Sequence, residues 1–422
     1  MLYDILVLGG GTAGVMAAVQ AGREGSKTLL VEKSDRLGGT GVNAGINFPG
    51  LFHAWRKQVI AGIGWELVCR SMDEENRPYP DFSRQERHPH NREQILTNGD
   101  YFSLICDEAV TNAGVEVLFG TMCAGIRELD GEKEITLCTK TGLKPIRTKV
   151  LIDCTGDANG VTLAGYPVER GEECQPATYS CKLSGYDYNS LDLEAIGKAF
   201  DKEVAAGRLS YTDIGWNANR FDPKWLFTHG NNGNHVHLPG VTGGTSEGRT
   251  ALSLSARLTI LRLLRFFRTQ PGLENIRLDA LHPECGIRES VRIQGLATVT
   301  TEDYVSGRRT GDDVCHSFYP VDVHTARQSG LDQVFLEEGI VPSVPRGALI
   351  PKGSKNFLVA GRCVSSDRGA NSALRVQATC MATGQAAGAI AVLAVREDLD
   401  VADVPIEKIH SLLRKHGAII PQ

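Results

Sequence analysis

The sequence predicts an α/β protein in which a parallel sheet with helices, joined by a small antiparallel sheet, is interrupted by an inserted α+β domain. Near the start of the chain, apolar residues 5–8 meet three glycines and then a helix-like run of small residues. Near its end, residues 356–362 (NFLVAGR) again meet a glycine, and a second small-residue helix pattern covers 375–395. The chain between them is richer in His, Asn, Gly and aromatic residues, so we expect it to be the insertion.

The two similar ends are predicted to form one discontinuous domain, residues 1–165 and 346–422. Residues 166–345 are predicted to form the inserted, substrate-binding domain. A chain of 422 residues is too long for one ordinary core, so more than one packing unit is expected.

The elements of the first domain follow from local patterns. Residues 13–23 predict the first helix, and residues 27–33 predict a second buried parallel strand, which completes a strand–helix–strand unit. Residues 115–157 predict short alternating strands with turns between them, and the last of these strands ends in a glycine turn.

The composition is typical of a globular protein. Hydrophobic residues make up 41% of the chain and charged residues 23%, and the net charge is −5 without a basic block, so nucleic acid is not an expected partner. The eleven cysteines form no CxxC pair and are odd in number, which favours reduced thiols over a disulfide framework or a zinc site.

The start of the chain and its apolar runs predict the location. The first strand begins too early to leave room for a signal peptide. The longest apolar stretch, residues 386–395, is shorter than a membrane span. We therefore expect a cytoplasmic protein with no metal site, no membrane span and no nucleic-acid partner.

A Gly-x-Gly-x-x-Gly pattern, formed by Gly9, Gly11 and Gly14, stands between the first strand and the first helix. The first glycine allows a tight turn, the second lets the backbone approach a pyrophosphate, and the third lets the helix pack on the strand. Glu32 ends the next strand, 18 positions after Gly14, where a carboxylate suits the two hydroxyls of a ribose. Together they predict a Rossmann-like dinucleotide-binding domain. The alternative is a glycine turn without a ligand.

This motif alone does not separate NAD from FAD, but the rest of the chain does. Strand-to-glycine turns recur at residues 151–157 and 357–362, and residues 36–40 (RLGGT) add backbone amides after the strand of Glu32. One NAD does not need three such turns, whereas a larger ligand that lies extended across the sheet would use them. The pattern therefore predicts FAD.

The chain resembles the FAD-dependent oxidoreductases of the glutathione-reductase-like superfamily, in particular the flavoproteins related to fumarate reductase and tricarballylate dehydrogenase. This resemblance implies an FAD-binding domain and an enzyme. The segments that carry it are GGGTAG (9–14), VEKSDRLGGTGVNAG (31–45), GIGWELVCR (62–70), VLIDCTGDANGVTLAG (150–165), CGIRESVRIQG (285–295), YPVDVH (319–324) and residues 356–388.

The resemblance also implies FAD contacts position by position. The first glycines would hold the pyrophosphate, and the backbone from Met122 onward would meet the adenine. Arg375, Val376 and Gln377 would begin a helix whose positive N-terminal end faces the flavin pyrimidine ring and stabilises the negative charge of reduced flavin. The expected FAD-binding residues are Gly9, Gly11, Thr12, Ala13, Gly14, Glu32, Lys33, Gly38, Gly39, Thr40, Met122, Cys123, Ala124, Thr155, Gly156, Asp157, Gly361, Arg362, Arg375, Val376 and Gln377.

Two arginines in the predicted insertion are candidates for substrate binding. Flavin supplies the hydride chemistry, so the protein must orient the substrate and manage a proton. Arg288 and Arg292 are four positions apart; in a helix they would share a face and hold a carboxylate or another oxyanion. The alternative is a structural salt bridge, for example with Glu289.

Histidines supply the remaining candidates. His235 and His237 would lie on the same side of an extended strand. In the segment 319–324, Asp322 would orient the imidazole of His324 as a proton carrier. The alternative is that these polar groups only satisfy one another. The candidate catalytic residues are Arg288, His324, His237, Arg292 and Tyr319.

Residues 257–268 (RLTILRLLRFFR) form a basic amphipathic helix pattern. We expect its Leu and Phe face to pack on the domain core while its arginines are solvated. The alternative is a helix on a membrane surface.

The expected function is that of an FAD-dependent dehydrogenase or reductase that transfers a hydride between a small polar substrate and FAD. The alternatives are a flavin monooxygenase or halogenase, or a flavoprotein of the tRNA-modifying type. The sequence leaves open the substrate, the direction of the reaction, the electron acceptor and whether FAD is covalently bound. It also leaves open the oligomeric state, a homo-oligomer included.

Overall fold

The computed structural model describes residues 1–84, 95–171, 174–217, 219–228, 236–325 and 330–422. Its strands are β1 (Leu2–Leu8), β2 (Thr28–Val31), β3 (His53–Ala54), β4 (Lys57–Gln58), β5 (Glu116–Leu118), β6 (Met122–Glu128), β7 (Lys133–Thr139), β8 (Gly142–Asp153), β9 (Val168–Arg170), β10 (Ala177–Tyr179), β11 (Cys181–Ser184), β12 (Val236–Leu238), β13 (Arg277–Leu281), β14 (Val291–Ile293), β15 (Asp313–His316), β16 (Val321–Thr325), β17 (Gly330–Val334), β18 (Ser343–Pro345) and β19 (Phe357–Val359).

Twelve α-helices lie within the described residues, and α8 and α11 are the longest of them. In chain order they are α1 (Thr12–Arg23), α2 (Thr40–Asn43), α3 (Ile63–Glu74), α4 (Gly99–Asn112), α5 (Asn159–Leu163), α6 (Leu193–Ala205), α7 (Lys224–Thr228), α8 (Ser246–Phe267), α9 (Thr301–Ser306), α10 (Arg368–Leu374), α11 (Gln377–Glu397) and α12 (Ile406–Lys415).

The central sheet has seven strands and confirms the predicted fold class. Strand β1 pairs in parallel with β2 and β8, β2 pairs with β5, and β19 pairs with the end of β8. Strands β6 and β7 continue the sheet in antiparallel fashion from the first part of β8. Leu8 at the end of β1 lies opposite Asp153 at the end of β8, so the glycine turns that follow them meet at one edge of the sheet.

Helix α11 packs along α1 on one face of this sheet. A Cβ on Gly384 would lie 2.1 Å from the carbonyl oxygen of Ala13, and a Cβ on Gly388 would lie 2.5 Å from that of Ala17. The small residues therefore allow a close helix–helix approach. Within the described ranges α11 is the one helix long and apolar enough to cross a membrane, and most of it is buried inside the protein.

The buried apolar side chains form separate clusters. Residues between 177 and 287, from β10 to β13 with α6 and α8, form a cluster of their own. Apolar residues between 299 and 344 instead join the cluster that contains α1 and α11, on one face of the sheet. Within the described part of the chain, the predicted insertion, residues 166–345, therefore has a separate apolar core only in its part from 177 to 287. The domain boundaries stay a prediction.

The basic amphipathic pattern lies in the second half of α8. Leu263, Leu264 and Phe267 are buried in the cluster 177–287, as expected for the Leu and Phe face. Leu258 and Leu261 on the same helix are exposed. Part of the apolar surface of α8 thus remains uncovered in the single chain.

Candidate functional site

A cavity of about 900 Å³ opens at the carboxyl ends of β1 and β8. Its wall includes the glycine turn after β1, the end of β2, the turn after β8 and the start of α11. Thr178 and Trp216, from the segment predicted as an insertion, also line it. The cavity therefore joins the sheet edge to the inserted segment.

The glycines of the first turn have different structural roles. Gly11 has a φ of −74°, and a Cβ added there would meet only the Cα of Gly39, at 3.7 Å. By contrast, Gly9 has a φ of +95°, and its Cβ would lie 2.7 Å from the carbonyl oxygen of Cys154. A Cβ on Gly14 would lie 1.8 Å from the Gly9 oxygen. Gly9 and Gly14 thus shape the turn, while Gly11 leaves space toward the cavity.

Most of the predicted FAD-binding residues line this cavity. Gly14, Gly38 and Ala124 do not line it. A Cβ on Gly38 would lie 2.5 Å from the side chain of Val42, so this glycine permits local packing. Those that line it are Gly9, Gly11, Thr12, Ala13, Glu32, Lys33, Gly39, Thr40, Met122, Cys123, Thr155, Gly156, Asp157, Gly361, Arg362, Arg375, Val376 and Gln377.

Glu32 is buried at the end of β2 and lines the cavity. One carboxylate oxygen accepts a hydrogen bond of 2.6 Å from the amide of Gly10, and the other accepts one of 2.8 Å from the amide of Ser34. These bonds hold the carboxylate beside the glycine turn. Each oxygen keeps acceptor capacity for a ribose hydroxyl.

Replacement of Glu32 by glutamine is expected to weaken FAD binding by about tenfold or more, because hydrogen bonds to a charged acceptor contribute about 1.5–3 kcal/mol each. In the glutamine variant, the side-chain NH2 group would also lie against the backbone N–H of Gly10 or of Ser34, so that two donors face each other. Equilibrium titration of the apoprotein with FAD measures this effect. Asp35→Asn is the matched control, since Asp35 is exposed and does not line the cavity. Flavin reduction in the reconstituted Glu32 variant should keep its rate; a large loss at full occupancy would contradict the ribose assignment.

Asp157 connects the turn after β8 to α8. Its carboxylate pairs with Arg249 of α8 at 2.8 Å and with Arg362. Burial opposes ionisation of Asp157, but the two guanidiniums outweigh burial and lower the pKa of this carboxyl. Lys33 pairs in turn with Glu284. At the cavity wall these predicted cofactor residues therefore also form ion pairs between the sheet and the inserted segment.

A buried polar cluster occupies another part of the wall. The guanidinium of Arg288 donates a 2.6 Å hydrogen bond to the carbonyl of Pro176, and its second terminal nitrogen lies 3.1 Å from Nε2 of His237. The rings of His237 and His324 stack with centroids 5.6 Å apart. Nε2 of His324 lies 3.4 Å from a carboxylate oxygen of Asp322. The structure thus brings Arg288, His237 and His324 together.

Arg375 joins the same cluster from the end of α10. Its guanidinium lies 3.9 Å from the Asp322 carboxylate and 3.3 Å from the backbone oxygen of the same residue. It also donates at 3.3 Å to the side-chain oxygen of Gln175, which accepts from the amide of His324 as well. Arg375 was predicted as a flavin-side residue, and it lines the cavity beside the candidate catalytic groups.

The protonation states follow from burial and from these neighbours. Burial and the charge of Arg375 lower the pKa of Arg288 to about 9, which leaves it cationic at neutral pH. Burial and the charge of Arg288 lower the pKa of His324 to about 4, although Asp322 opposes this shift. Burial opposes ionisation of Asp322, but the hydrogen bond to His324 and the charge of Arg375 lower its pKa to about 2. A neutral imidazole thus lies between cations and a carboxylate.

Arg292 does not belong to this cluster, and the expected shared helix face is wrong. Residues 286–290 are not helical, and Arg292 lies in the strand β14. Its guanidinium pairs with Glu289 at 3.1 Å and donates to the backbone oxygen of Ser366 at 3.0 Å. It does not line the cavity. The structure therefore supports the salt-bridge alternative for Arg292.

The other candidates lie at different depths. Tyr319 and His324 line the cavity, whereas His237 is buried behind Arg288 and does not. His235 lies outside the described residues. Trp216 was not predicted; it lines the cavity, and its ring meets the His237 ring edge-on with centroids 6.4 Å apart. Gln175 was missed as well, because nothing in the surrounding sequence marks it.

Metal ligands were not expected. Across the ranges that the structure describes, no group of three or more His, Cys, Asp or Glu side chains could hold a metal ion. The arrangement at the cavity is instead one of glycine turns, a buried carboxylate and a charged hydrogen-bonded cluster. These are groups for a phosphate-containing ligand and a small polar molecule.

The model of a family described as FAD dependent oxidoreductase matches residues 4–413. A dihydrolipoamide dehydrogenase of Chaetomium thermophilum is 50% identical over 42 residues, 10% of this chain and 8% of that protein. A nicotine dehydrogenase of Pseudomonas putida is 41% identical over 73 residues, 15% of each. The chain thus matches less than a sixth of the length of these two curated relatives.

Several solved structures of related shape cover nearly the whole chain but are distant. In the crystal structure of a geranylgeranyl bacteriochlorophyll reductase-like protein from Thermoplasma acidophilum, the similarity covers 98% of this chain and 83% of that one. The TM-score is 0.40 and the identity 14%. At this distance the likeness does not bear on the reaction or the substrate.

Proposed function

Because the chain belongs to the FAD dependent oxidoreductase family, we propose that this enzyme catalyses the transfer of a hydride between a small anionic substrate and FAD. The observation that carries the proposal is the buried cluster around Arg288 and His324, on the wall of the same cavity that the glycine turn lines. This cavity of about 900 Å³ is lined both by the glycine turn and by the cluster.

The residues at the cavity suit FAD, which supplies the hydride chemistry when bound. Gly11 leaves open space beside the start of α1, where backbone amides would hold the pyrophosphate. Glu32 would hold the adenosine ribose. Val376, the N-cap of α11, provides no side-chain cap hydrogen bond, although the amide of Ala378 donates to the backbone oxygen of Pro49. Val376 and Gln377 line the cavity, so this positive helix end would face a negatively charged flavin edge.

The charge of the buried cluster favours an anionic substrate. Arg288 and Arg375 contribute two positive charges, and Asp322 contributes one negative charge. The next carboxylate, Glu289, is already paired with two other arginines. Among the residues that the structure describes, one buried positive charge of this cluster therefore has no matching anion, and a single carboxylate or similar oxyanion of the substrate would supply it.

His324 would manage the proton that accompanies hydride transfer. At neutral pH its imidazole is uncharged, so it can accept a proton, and Asp322 lies where it would stabilise the protonated form. Tyr319 lines the same wall. The role of Arg288 would be to hold the substrate, since its guanidinium stays cationic.

A closer kinship to the fumarate reductase and tricarballylate dehydrogenase flavoproteins is part of this proposal. It is supported by the segments 285–295 and 319–324, which carried the resemblance. These segments contribute Arg288 and His324 to the cavity wall.

Anaerobic bleaching of the enzyme-bound flavin tests the proposal. The purified protein should carry about one FAD per chain, and a panel of small carboxylic acids should include one that bleaches it. Each acid is paired with its amide, which has the same shape without the charge. Bleaching by an acid and not by its amide is the expected result. Bleaching by a nicotinamide cofactor, with no response to any acid, would instead favour the monooxygenase alternative.

A further inference from the structure

Helix α8 has an uncovered apolar stripe on the side opposite its buried face. Leu254, Leu258 and Leu261 are 52%, 55% and 40% exposed, and Ala251 is exposed as well. Their spacing of three and four residues places them in one line along the helix. Three exposed leucines in line on one regular helix form a continuous apolar surface, which in a soluble chain indicates an interaction site.

A charged residue lies at each end of the stripe. Glu247 precedes Ala251 by four positions, and Arg265 follows Leu261 by four. Both charged residues are exposed. The line Glu–Ala–Leu–Leu–Leu–Arg thus has the four–three spacing of coiled-coil core positions and opposite charges at its two ends.

This stripe is complementary to itself when two copies of the helix run antiparallel. With the dyad at the level of residue 256, Leu254 faces Leu258 of the second copy, and Ala251 faces Leu261. The same register places Glu247 opposite Arg265, and the dyad repeats each pair. In heptad notation, Ala251, Leu258 and Arg265 occupy a positions, and Glu247, Leu254 and Leu261 occupy d positions. Each pair across the dyad then joins an a position of one helix with a d position of the other, as in antiparallel coiled coils. Every residue of the stripe therefore has a counterpart on the second copy.

We propose that the enzyme forms a twofold symmetric dimer through this antiparallel pairing of α8 with α8 of a second copy. The exposed polar side chains beside the stripe, such as Ser255 and Arg262, would form the solvated rim. A helix with leucines and arginines would also suit an anionic membrane. The glutamate at one end of the stripe favours a second copy, because it matches Arg265 there and would be repelled by anionic lipid. The dimer does not depend on the reaction proposed above.

The mass of the FAD-loaded protein in solution tests this interface. Light scattering or sedimentation should give twice the mass of one chain. Leu258→Asp places a charge in the central layer and should return the protein to the mass of one chain with its FAD content unchanged. Leu104→Asp is the matched control, because Leu104 is 63% exposed on α4, and this variant should stay dimeric.

Charge reversal tests the register itself. Glu247→Arg and Arg265→Glu each bring like charges together twice, and each should weaken the dimer by about tenfold or more. The double variant restores both pairs and should recover the wild-type dissociation constant. Because Glu247 and Arg265 are both exposed, these variants are expected to fold even if Leu258→Asp does not.

Several results would overturn the proposal. One is a wild-type protein with the mass of one chain at every concentration tested. Another is a dimer that neither Leu258→Asp nor the charge reversals weaken. A third is a monomer that binds vesicles of phosphatidylserine and phosphatidylcholine and loses this binding in Leu258→Asp, since the stripe would then be a membrane surface.

Discussion

Replacement of Gly11 by valine is expected to abolish FAD binding while the fold is retained. Gly11 has an ordinary backbone conformation, and a Cβ there makes only a normal contact with Gly39, so a side chain at this position meets no steric clash at its base. The branches of valine would fill the space in which the pyrophosphate approaches the start of α1. The FAD content of the purified variant and its titration with FAD measure the effect.

The graded control is Gly11→Ala, which adds only the Cβ and should retain more FAD than the valine variant. Thermal unfolding of both apoproteins should resemble that of the wild-type apoprotein. Gly14→Val is a contrasting variant, because its Cβ would lie 1.8 Å from the Gly9 oxygen and the fold itself should suffer. Full FAD occupancy in Gly11→Val would refute the assignment of this turn to the pyrophosphate.

Replacement of Arg288 by lysine is expected to lower substrate-dependent flavin reduction by about a hundredfold, because loss of the planar guanidinium misplaces the substrate relative to the flavin. The guanidinium holds the carbonyl of Pro176 and meets His237 while its cluster faces the cavity. A single ammonium group cannot make these contacts and also bind a carboxylate with two parallel hydrogen bonds. Anaerobic stopped-flow reduction with the identified substrate measures the rate.

Arg292→Lys is the matched control for this prediction. Arg292 is equally buried but pairs with Glu289 and does not line the cavity, so its substitution should affect stability more than the rate of reduction. The FAD content of the Arg288 variant should remain unchanged. Equal reduction rates in the wild type and Arg288→Lys would leave Arg288 as a structural residue, and substrate binding would then be sought around His324.

The cofactor side of the cavity was largely predictable because its signals are local. Gly9, Gly11 and Glu32 belong to one continuous strand–helix–strand unit, in which the spacing of glycines and of the acid follows from the pitch of the helix and the length of the strands. The similar strand-to-glycine patterns at the two ends of the chain also indicated that both ends belong to one sheet. In the structure, β19 near the end of the chain pairs with β8 of this sheet.

The buried cluster around Arg288 and His324 was predictable only in part. Arg288 and His324 were singled out by residue type, but their proximity could not be. Arg288 and His237 are 51 positions apart, and Arg375 and Gln175 are 200 positions apart. The choice between the two interpretations of Arg292 has a related cause: a spacing of four places two side chains on one face only in a helix, and Arg292 lies in the strand β14.

The helices α1 and α11 show why local structure was predictable and contacts between distant segments were not. Small residues and glycines in both segments were enough to predict two helices and a glycine turn, since backbone conformation depends mainly on neighbours along the chain. The reason for the glycines of α11 became visible only in the packed structure, where Gly384 and Gly388 meet backbone oxygens of α1. Likewise, a charge becomes a candidate catalytic group through burial and through neighbours from other segments, as Arg288 does beside Arg375, and these are properties of the tertiary structure.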